Sequence, residues 1–132
     1  MHRPPYRVLV VDDELDFLET LVRRLEKRQV AAVGVTGGRE ALDKLSQHSV
    51  DVVVLDVRMP GMDGLEVLQE IKKRWPLVEV ILLTGHASVE SGLQGMELGA
   101  FDYVMKPCKL TELLPKIEQA YERKCLREKA RQ

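Results

Sequence analysis

The sequence predicts an α/β fold in which a parallel sheet is doubly wound, with helices on both faces. Short β-branched runs alternate five times with segments of helical period along the 132 residues. The runs VLVV (8–11) and VVVL (52–55) are apolar at every position, as in strands that are buried on both faces. Because a strand that returns through a helix to a parallel neighbour makes a right-handed crossover, the repeated order indicates a parallel sheet.

The individual elements follow from changes of hydrophobic period along the chain. Apolar residues recur at helical spacing after the first and third strands and again near the end of the chain. Gly37-Gly38 and Pro60-Gly61 mark loops, and Pro76 ends the third helix. The sequence thus predicts strands at 7–11, 30–35, 51–55, 78–83 and 101–104, and helices at roughly 15–28, 38–46, 64–74, 87–97 and 111–127.

Four of the predicted strands end directly in polar residues that suit one chemical site. Asp12-Asp13, Asp56, Thr84 and Lys106 follow the first, third, fourth and fifth strands. The carboxyl ends of parallel strands lie along one edge of the sheet, where ligand sites form. Each of these residues alone would more often be a helix cap, a loop residue or a solvated lysine. Together, clustered carboxylates and a nearby lysine predict a site for Mg²⁺ and phosphate.

The composition is that of a single globular domain and argues against several classes of protein. At 132 residues the chain is long enough to bury a core as one domain. The net charge of −1 gives no basis for broad binding to nucleic acid, and no apolar run reaches the roughly 18 residues of a membrane span. Cys108 and Cys125 are too few for a disulfide framework and lack metal-ligand spacing, so we expect a cytoplasmic protein.

Four motifs resemble the receiver domain of two-component response regulators, in the CheY-like superfamily. They are VLVVDDE (8–14), DVVVLDVRMPGMDG (51–64), ILLTGHAS (81–88) and GAFDYVMKP (99–107), in the family's order and at its spacings. The resemblance implies a flavodoxin-like (βα)5 sheet with strand order 2-1-3-4-5. It implies a receiver domain over residues 6–123, and leaves 124–132 as a charged helical extension or the start of a linker.

The resemblance implies that Asp56 is the phosphoacceptor. Its carboxylate would take a phosphoryl group from a sensor histidine kinase or a phosphotransfer protein in a Mg²⁺-dependent reaction. Asp12, Asp13 and Asp56, with the backbone carbonyl of Arg58, would hold the Mg²⁺. Such a receiver catalyses its own phosphorylation and dephosphorylation, and it is not an enzyme that turns over external substrates.

The resemblance also assigns the residues that respond to phosphorylation. Lys106 would pair with one phosphoryl oxygen, and Thr84 would donate a hydrogen bond to another. Tyr103 would be the aromatic switch residue, and the peptide bond between Lys106 and the proline that follows is expected to be cis. Arg58 and His86 would tune the lifetime of the phosphate.

The switching surface that the family implies comprises the fourth helix, the fifth strand and the fifth helix. This surface would control an attached or separate output, with a transcription regulator expected, and could pair two copies as a homodimer. Neither direct nucleic-acid binding nor membrane contact is expected of the domain. We expect a receiver that belongs to a larger regulator; the alternative is a stand-alone receiver that acts in a phosphorelay or as a protein-binding module.

Three small residues near the predicted switching surface are open to interpretation. Gly92 and Gly95 lie inside the fourth predicted helix, where each glycine costs up to about 1 kcal/mol relative to alanine. Either they weaken a helix that must move, or they allow close packing against a neighbour. Cys108 is interpreted as a small packing residue rather than a redox sensor, because nothing in the sequence indicates a lowered thiol pKa.

Overall fold

Strands and helices alternate along the whole of the described chain. The structure is a computed structural model that describes residues 6–59, 61–85 and 89–131. Within these ranges there are five strands: β1 (Arg7–Val11), β2 (Ala31–Val35), β3 (Val52–Asp56), β4 (Glu79–Thr84) and β5 (Asp102–Met105). The same ranges contain five helices: α1 (Leu15–Lys27), α2 (Gly38–Gln47), α3 (Gly64–Arg74), α4 (Val89–Glu97) and α5 (Leu110–Ala130).

All the strands of the described chain join one parallel sheet in the order β2-β1-β3-β4-β5. This order confirms the predicted fold class and topology. Val11 of β1 lies beside Leu55 of β3, and Asp56 of β3 lies beside Leu83 of β4. The register therefore brings the carboxyl ends of three adjacent strands to the same edge of the sheet.

The sheet separates two hydrophobic core clusters. Every residue of β3 and β4 is buried, which explains the continuous apolar runs in their sequences. α1 and α5 cover one face and α2 and α3 the other, through buried side chains that include Leu18, Leu25, Leu113, Ile117, Ala41, Leu45, Leu68 and Ile71. Among the described helices, none has both the length and the apolar character needed to cross a bilayer.

The element boundaries lie close to the predicted ones, and the differences have local causes. Val30 donates its backbone N–H to the Leu25 carbonyl, so it closes the turn after α1 instead of opening β2. β5 starts and ends one position later than predicted. The predicted start of the fourth helix at residue 87 lies outside the described residues, and α5 continues to Ala130, past its predicted end at 127.

The loop between β3 and α3 is shaped by a capping box and by close backbone packing. The Asp63 side chain accepts the N–H groups of Leu65 and Glu66, and the Glu66 side chain accepts the N–H of Asp63 at 3.3 Å. Gly64 follows, and a Cβ there would overlap the backbone of Asp56 and Val57. Only glycine therefore lets α3 begin this close to the end of β3.

The last turns of α5 are fastened to the amino-terminal edge of the sheet. Glu79, the first residue of β4, is fully buried, and its Oε2 accepts from Arg123 Nε at 2.6 Å and from Arg127 Nη1 at 3.2 Å. Lys124 Nζ lies 2.8 Å from Asp51 Oδ1. The carboxyl-terminal half of α5 is thus held against the sheet by Arg123, Lys124 and Arg127.

Candidate functional site

Three carboxylates meet at the carboxyl edge of the sheet. Asp12 and Asp13 directly follow β1, and Asp56 is the last residue of β3. One oxygen from each carboxylate lies within 4.8 Å of the others. Asp12 and Asp56 are buried while Asp13 is exposed, so the cluster is backed by protein and open to solvent on one side. These are hard oxygen donors, and they could hold a divalent cation such as Mg²⁺.

Backbone N–H groups orient the two buried carboxylates. Glu14 N–H donates to Asp12 Oδ1 at 2.9 Å, and Arg58 N–H donates to Asp56 Oδ1 at 3.2 Å. Each bond reaches two residues along the chain, as in an Asx turn. The other oxygen of Asp12, Oδ2, is buried without a hydrogen bond. Its charge is instead met by the Lys106 ammonium, which lies 2.8 Å from Oδ2.

The surroundings of Asp56 disfavour its charge. Burial raises the pKa of the Asp56 carboxyl from 3.8 to about 6, and the nearby Asp12 carboxylate acts in the same direction. The Lys106 ammonium and the Arg58 N–H lower this pKa and only partly offset the rise. At neutral pH Asp56 is still mainly ionised, but its carboxylate is less stable than that of a solvent-exposed aspartate.

Lys106 follows β5 and places its ammonium among three carboxylates. Nζ lies 2.6 Å from Glu14 Oε1, 2.8 Å from Asp12 Oδ2 and 3.5 Å from Asp56 Oδ2. Burial alone would lower the pKa of Lys106, but Asp12, Glu14 and Asp56 raise it above its ordinary value, so the ammonium stays charged. The bond to the next residue, Pro107, is cis, as predicted.

Thr84 ends β4 beside the acidic cluster and is fully buried. Its hydroxyl donates to the thioether sulfur of Met105 at 3.4 Å, and its carbonyl accepts the Lys106 N–H at 2.7 Å. Thr84 and Lys106 are therefore linked through the pairing of β4 with β5. The hydroxyl points along the sheet towards β5, where it is held by a weak acceptor.

The two glycines of α4 pack closely against side chains of the sheet. Gly92 and Gly95 are buried, and a Cβ at Gly92 would lie 2.9 Å from Thr84 Cγ2 and 3.6 Å from the Tyr103 ring. A Cβ at Gly95 would overlap the side chain of Leu82. Close packing therefore explains both glycines, which is one of the two interpretations open from the sequence. The half-buried Tyr103 ring lies beside Gly92 of α4, the helix that the family resemblance includes in the switching surface.

Arg58 is exposed at the rim of the site. With Val57, Met59, Asp63, Leu65 and Ser91 it lines an open cavity of about 410 Å³ beside the loop after β3. His86, which sequence reasoning paired with Arg58, lies outside the described residues. Burial raises the pKa of the Cys108 thiol, which agrees with its interpretation as a packing residue.

Two residues that contact the predicted site were not singled out from the sequence. Glu14 follows Asp12-Asp13 directly, so its position was visible, but its contact with Lys106 depends on the positions of β1 and β5 in the sheet. Met105 precedes Lys106, and its thioether sulfur is only a weak acceptor, so its residue type did not point to a hydrogen bond with Thr84. Both contacts form between segments that are distant in sequence.

The fold and the pocket together define a class of signalling protein. Residues 8–118 match the family described as response regulator receiver domain. The chain therefore belongs to the response regulator receiver domain family, as its motifs had indicated. Receiver domains of this family serve as signalling modules of two-component systems and receive phosphoryl groups from histidine kinases.

Similar proteins include regulators that are longer than this chain. The chain is 37% identical over 113 residues to the DNA-binding transcriptional regulator NtrC of Escherichia coli (strain K12), covering 86% of this chain and 24% of that protein. It is 40% identical over 113 residues to the response regulator MprA of Mycolicibacterium vanbaalenii, covering 86% of this chain and 49% of that protein. The chain thus spans about a quarter of NtrC and about half of MprA.

Solved structures have the same fold over nearly the whole chain. A response regulator receiver domain protein from Clostridium thermocellum superposes with a TM-score of 0.88 at 35% identity, covering 92% of this chain and 98% of that one. The receiver domain of NtrX from Brucella abortus superposes with a TM-score of 0.83 at 32% identity, covering 87% of this chain and 98% of that one. Both are receiver domains of similar length.

Proposed function

We propose that this chain accepts a phosphoryl group on Asp56 and transmits a signal through the resulting change of its surface. The observation that supports this most directly is the arrangement around Asp56. A buried carboxylate at a strand end has the Lys106 ammonium 3.5 Å from its Oδ2 and the Asp12 carboxylate in the same cluster. A cation beside a carboxylate nucleophile offsets the negative charges that meet during phosphoryl transfer.

The donor we infer is a phosphohistidine on a sensor histidine kinase or a phosphotransfer protein. One oxygen of the Asp56 carboxylate attacks the phosphorus, and the P–N bond breaks with its electron pair returning to the imidazole nitrogen. The histidine takes up a proton, and Asp56 carries an acyl phosphate. Attack by water on this phosphorus later restores the carboxylate and releases inorganic phosphate.

Asp12, Asp13 and Asp56, with the backbone carbonyl of Arg58, would hold Mg²⁺. The side-chain donors fit this ion because they are all carboxylate oxygens, and because one oxygen from each of the three residues lies within 4.8 Å of the others. Bound Mg²⁺ supplies positive charge that relieves repulsion between Asp56 and the incoming phosphoryl oxygens. Few protein ligands are needed, since Mg²⁺ keeps several of its waters.

The signal follows from the charge of the new group. Phosphorylation adds about −1.5 to −2 charges and three strong acceptor oxygens. Lys106 would pair with one of these oxygens, and Thr84 would leave Met105 to donate to another. Because the Thr84 methyl and the Tyr103 ring both lie close to Gly92, a rotation of the Thr84 side chain would alter the packing between α4 and β5. The surface formed by α4, β5 and α5 would then change its shape.

The output we infer is a transcription regulator, attached to this receiver or separate from it. NtrC, which is similar over the receiver, is a DNA-binding transcriptional regulator; we propose no nucleic-acid or membrane contact for the receiver itself. The receiver would span residues 6–123 in the cytoplasm, with 124–132 as a helical extension or the start of a linker. α4 exposes Leu93 and Met96, which suits a homodimer through the α4-β5-α5 surface. Arg58 and His86 would tune the phosphate lifetime.

Incubation with acetyl phosphate and Mg²⁺, followed by intact mass spectrometry, tests the proposal. The wild-type protein should gain one phosphoryl group, and the gain should disappear when EDTA replaces Mg²⁺. Asp56→Asn should gain none at this site, whereas Asp43→Asn, at an exposed aspartate of α2, should behave as the wild type. A wild-type protein that stays unmodified would refute the proposed function.

A further inference from the structure

We propose that Glu14 is a positioning residue that tethers the Lys106 ammonium and competes with the phosphoryl group for it. This inference rests on the proposed function of Asp56 and Lys106. It assigns a role to a side chain to which the family resemblance gave none. The tether would set how readily Lys106 turns from the unphosphorylated arrangement to the phosphorylated one.

The contact distances show where the ammonium is held. Lys106 Nζ lies 2.6 Å from Glu14 Oε1 and 3.5 Å from Asp56 Oδ2, so its closest carboxylate is not the proposed phosphoacceptor. Glu14 stands at the amino-terminal cap of α1, yet its side chain makes no capping hydrogen bond. Its carboxylate reaches across the pocket to Lys106, just after β5, instead. Without this contact the side chain would have no structural partner in the described chain.

The first turn of α1 forms two sides of a cradle for the ammonium. Glu14 and Phe17 are three positions apart and so project from the same side of the helix start. The Phe17 ring centroid lies 4.5 Å from Lys106 Nζ, a cation–π distance. The Asp12 carboxylate closes a third side at 2.8 Å. The ammonium is therefore held towards α1, and Glu14 is the only exposed member of this set.

Because Glu14 is exposed, its ion pair with Lys106 can break easily. Its side chain is 65% exposed, against 15% for Lys106, so solvent screens the pair and Glu14 can move aside without cost to the core. A phosphoryl group carries more charge than one carboxylate and would take the ammonium from it. Because a partly exposed ion pair is weak, we expect the competition to change affinity by roughly two- to fivefold.

Binding of beryllium fluoride with saturating Mg²⁺, followed by fluorine NMR, tests the tether, because this anion mimics a phosphoryl group on a carboxylate. Glu14→Gln should bind it roughly two- to fivefold more tightly than the wild type. Glu14→Asp should also bind more tightly, since the charge remains but the shorter side chain no longer reaches Lys106. In a Lys106→Ala background, Glu14→Gln should change nothing.

Asp16→Asn is the matched control, because it removes an equal charge from the first turn of α1 and Asp16 makes no ion pair with Lys106 among the described contacts. An equal gain from Asp16→Asn, or from Glu14→Gln in the Lys106→Ala background, would show a general charge effect and overturn the tether. Unchanged or weaker binding by Glu14→Gln would also overturn it. A wild type that binds no mimic and takes no phosphoryl group from acetyl phosphate would instead overturn the proposed function.

Discussion

The Asp56 carboxyl is buried beside the Asp12 carboxylate, and both circumstances favour its neutral form. The proposed reaction needs the opposite form, because only the carboxylate is a nucleophile. Lys106 supplies one positive charge at 3.5 Å, and a bound cation would supply two more. Repulsion between the carboxylates therefore destabilises the folded protein until positive charge enters the pocket. Metal binding, phosphorylation and folding stability should consequently depend on one another.

This coupling predicts how Asp56→Asn changes stability in metal-free protein. The pKa is 3.8 for an ordinary aspartate and about 6 in the folded protein, so the folded state binds the proton more tightly. The stability that the neutral carboxyl contributes is present below about pH 4 and is lost as the pH rises through about 6. Asp56→Asn has no such loss, so in EDTA it should exceed the wild type by about 1–3 kcal/mol at pH 8.

Urea unfolding at pH 4 and pH 8 measures the difference. The advantage of Asp56→Asn should shrink towards zero at the lower pH. Asp43→Asn, at an exposed position of α2, is the control and should show no comparable growth with pH. An advantage of the same size at both pH values would mean that the charge of Asp56 is not its cause.

At the scale of single elements, α4 and α5 are joined to the sheet in different ways. α4 is held by contact, with two glycines that bring its backbone against Leu82 and Thr84. α5 is held by charge at its far end, where Glu79 accepts from Arg123 and Arg127. The contact of α4 with β4 lies beside the proposed phosphoacceptor, and the ion pairs of α5 with Glu79 lie at the opposite edge of the sheet.

The close packing of α4 predicts that Gly95→Ala is destabilising, although alanine is the better helix former. The added methyl group would overlap the Leu82 side chain, and such overpacking typically costs about 1–3 kcal/mol. The gain in helix propensity is at most about 1 kcal/mol, so the protein should lose stability in urea unfolding. Gln94→Ala, on the exposed side of α4, is the control and should be neutral or slightly stabilising. A stabilised Gly95→Ala would instead favour the interpretation that the glycines weaken α4.

The ion pairs between Glu79 and α5 predict that Glu79→Ala is strongly destabilising. Glu79 is fully buried, and its removal would leave Arg123, Arg127 and the largely buried Lys72 ammonium without their shared counter-charge. Because the two arginines are partly exposed, we expect a loss of about 2–3 kcal/mol, below the range for fully buried pairs. Glu128→Ala removes an exposed partner of Lys124 on the same helix and should cost less than about 0.5 kcal/mol. Equal effects of the two variants in urea unfolding would show that the buried network does not hold α5.

At the scale of the whole molecule, the sequence predicted the fold because each strand is marked by its own composition. β1, β3 and β4 each contain an unbroken run of at least four apolar residues, and the helices between them keep one apolar face. The same strands predicted that Asp12, Asp56, Thr84 and Lys106 would converge, since parallel strands share an edge for their carboxyl ends. The structure brings these four together, and their roles remain proposals.

Contacts between side chains distant in sequence could not be predicted in this way. The ion pair of Lys106 with Glu14 joins β5 to the start of α1, and that of Glu79 with Arg123 joins β4 to α5. Hydrophobic period fixes which face of an element is buried, but it says nothing about which charged residues meet. Gly92 and Gly95 were ambiguous for the same reason, because the neighbours that require them lie on β4 and β5.

The proposed function requires that Asp56, and no other residue, carries the phosphoryl group. To locate this group, the protein is treated with acetyl phosphate and Mg²⁺, the product is reduced with sodium borohydride, and the peptides are sequenced by mass spectrometry. Borohydride converts an aspartyl phosphate to homoserine, so the modified position is recorded by a stable residue. We predict homoserine at position 56, and none there when Mg²⁺ or acetyl phosphate is left out. Homoserine at position 12 or 13 instead, or at no aspartate position, would contradict the assignment of Asp56 as the phosphoacceptor.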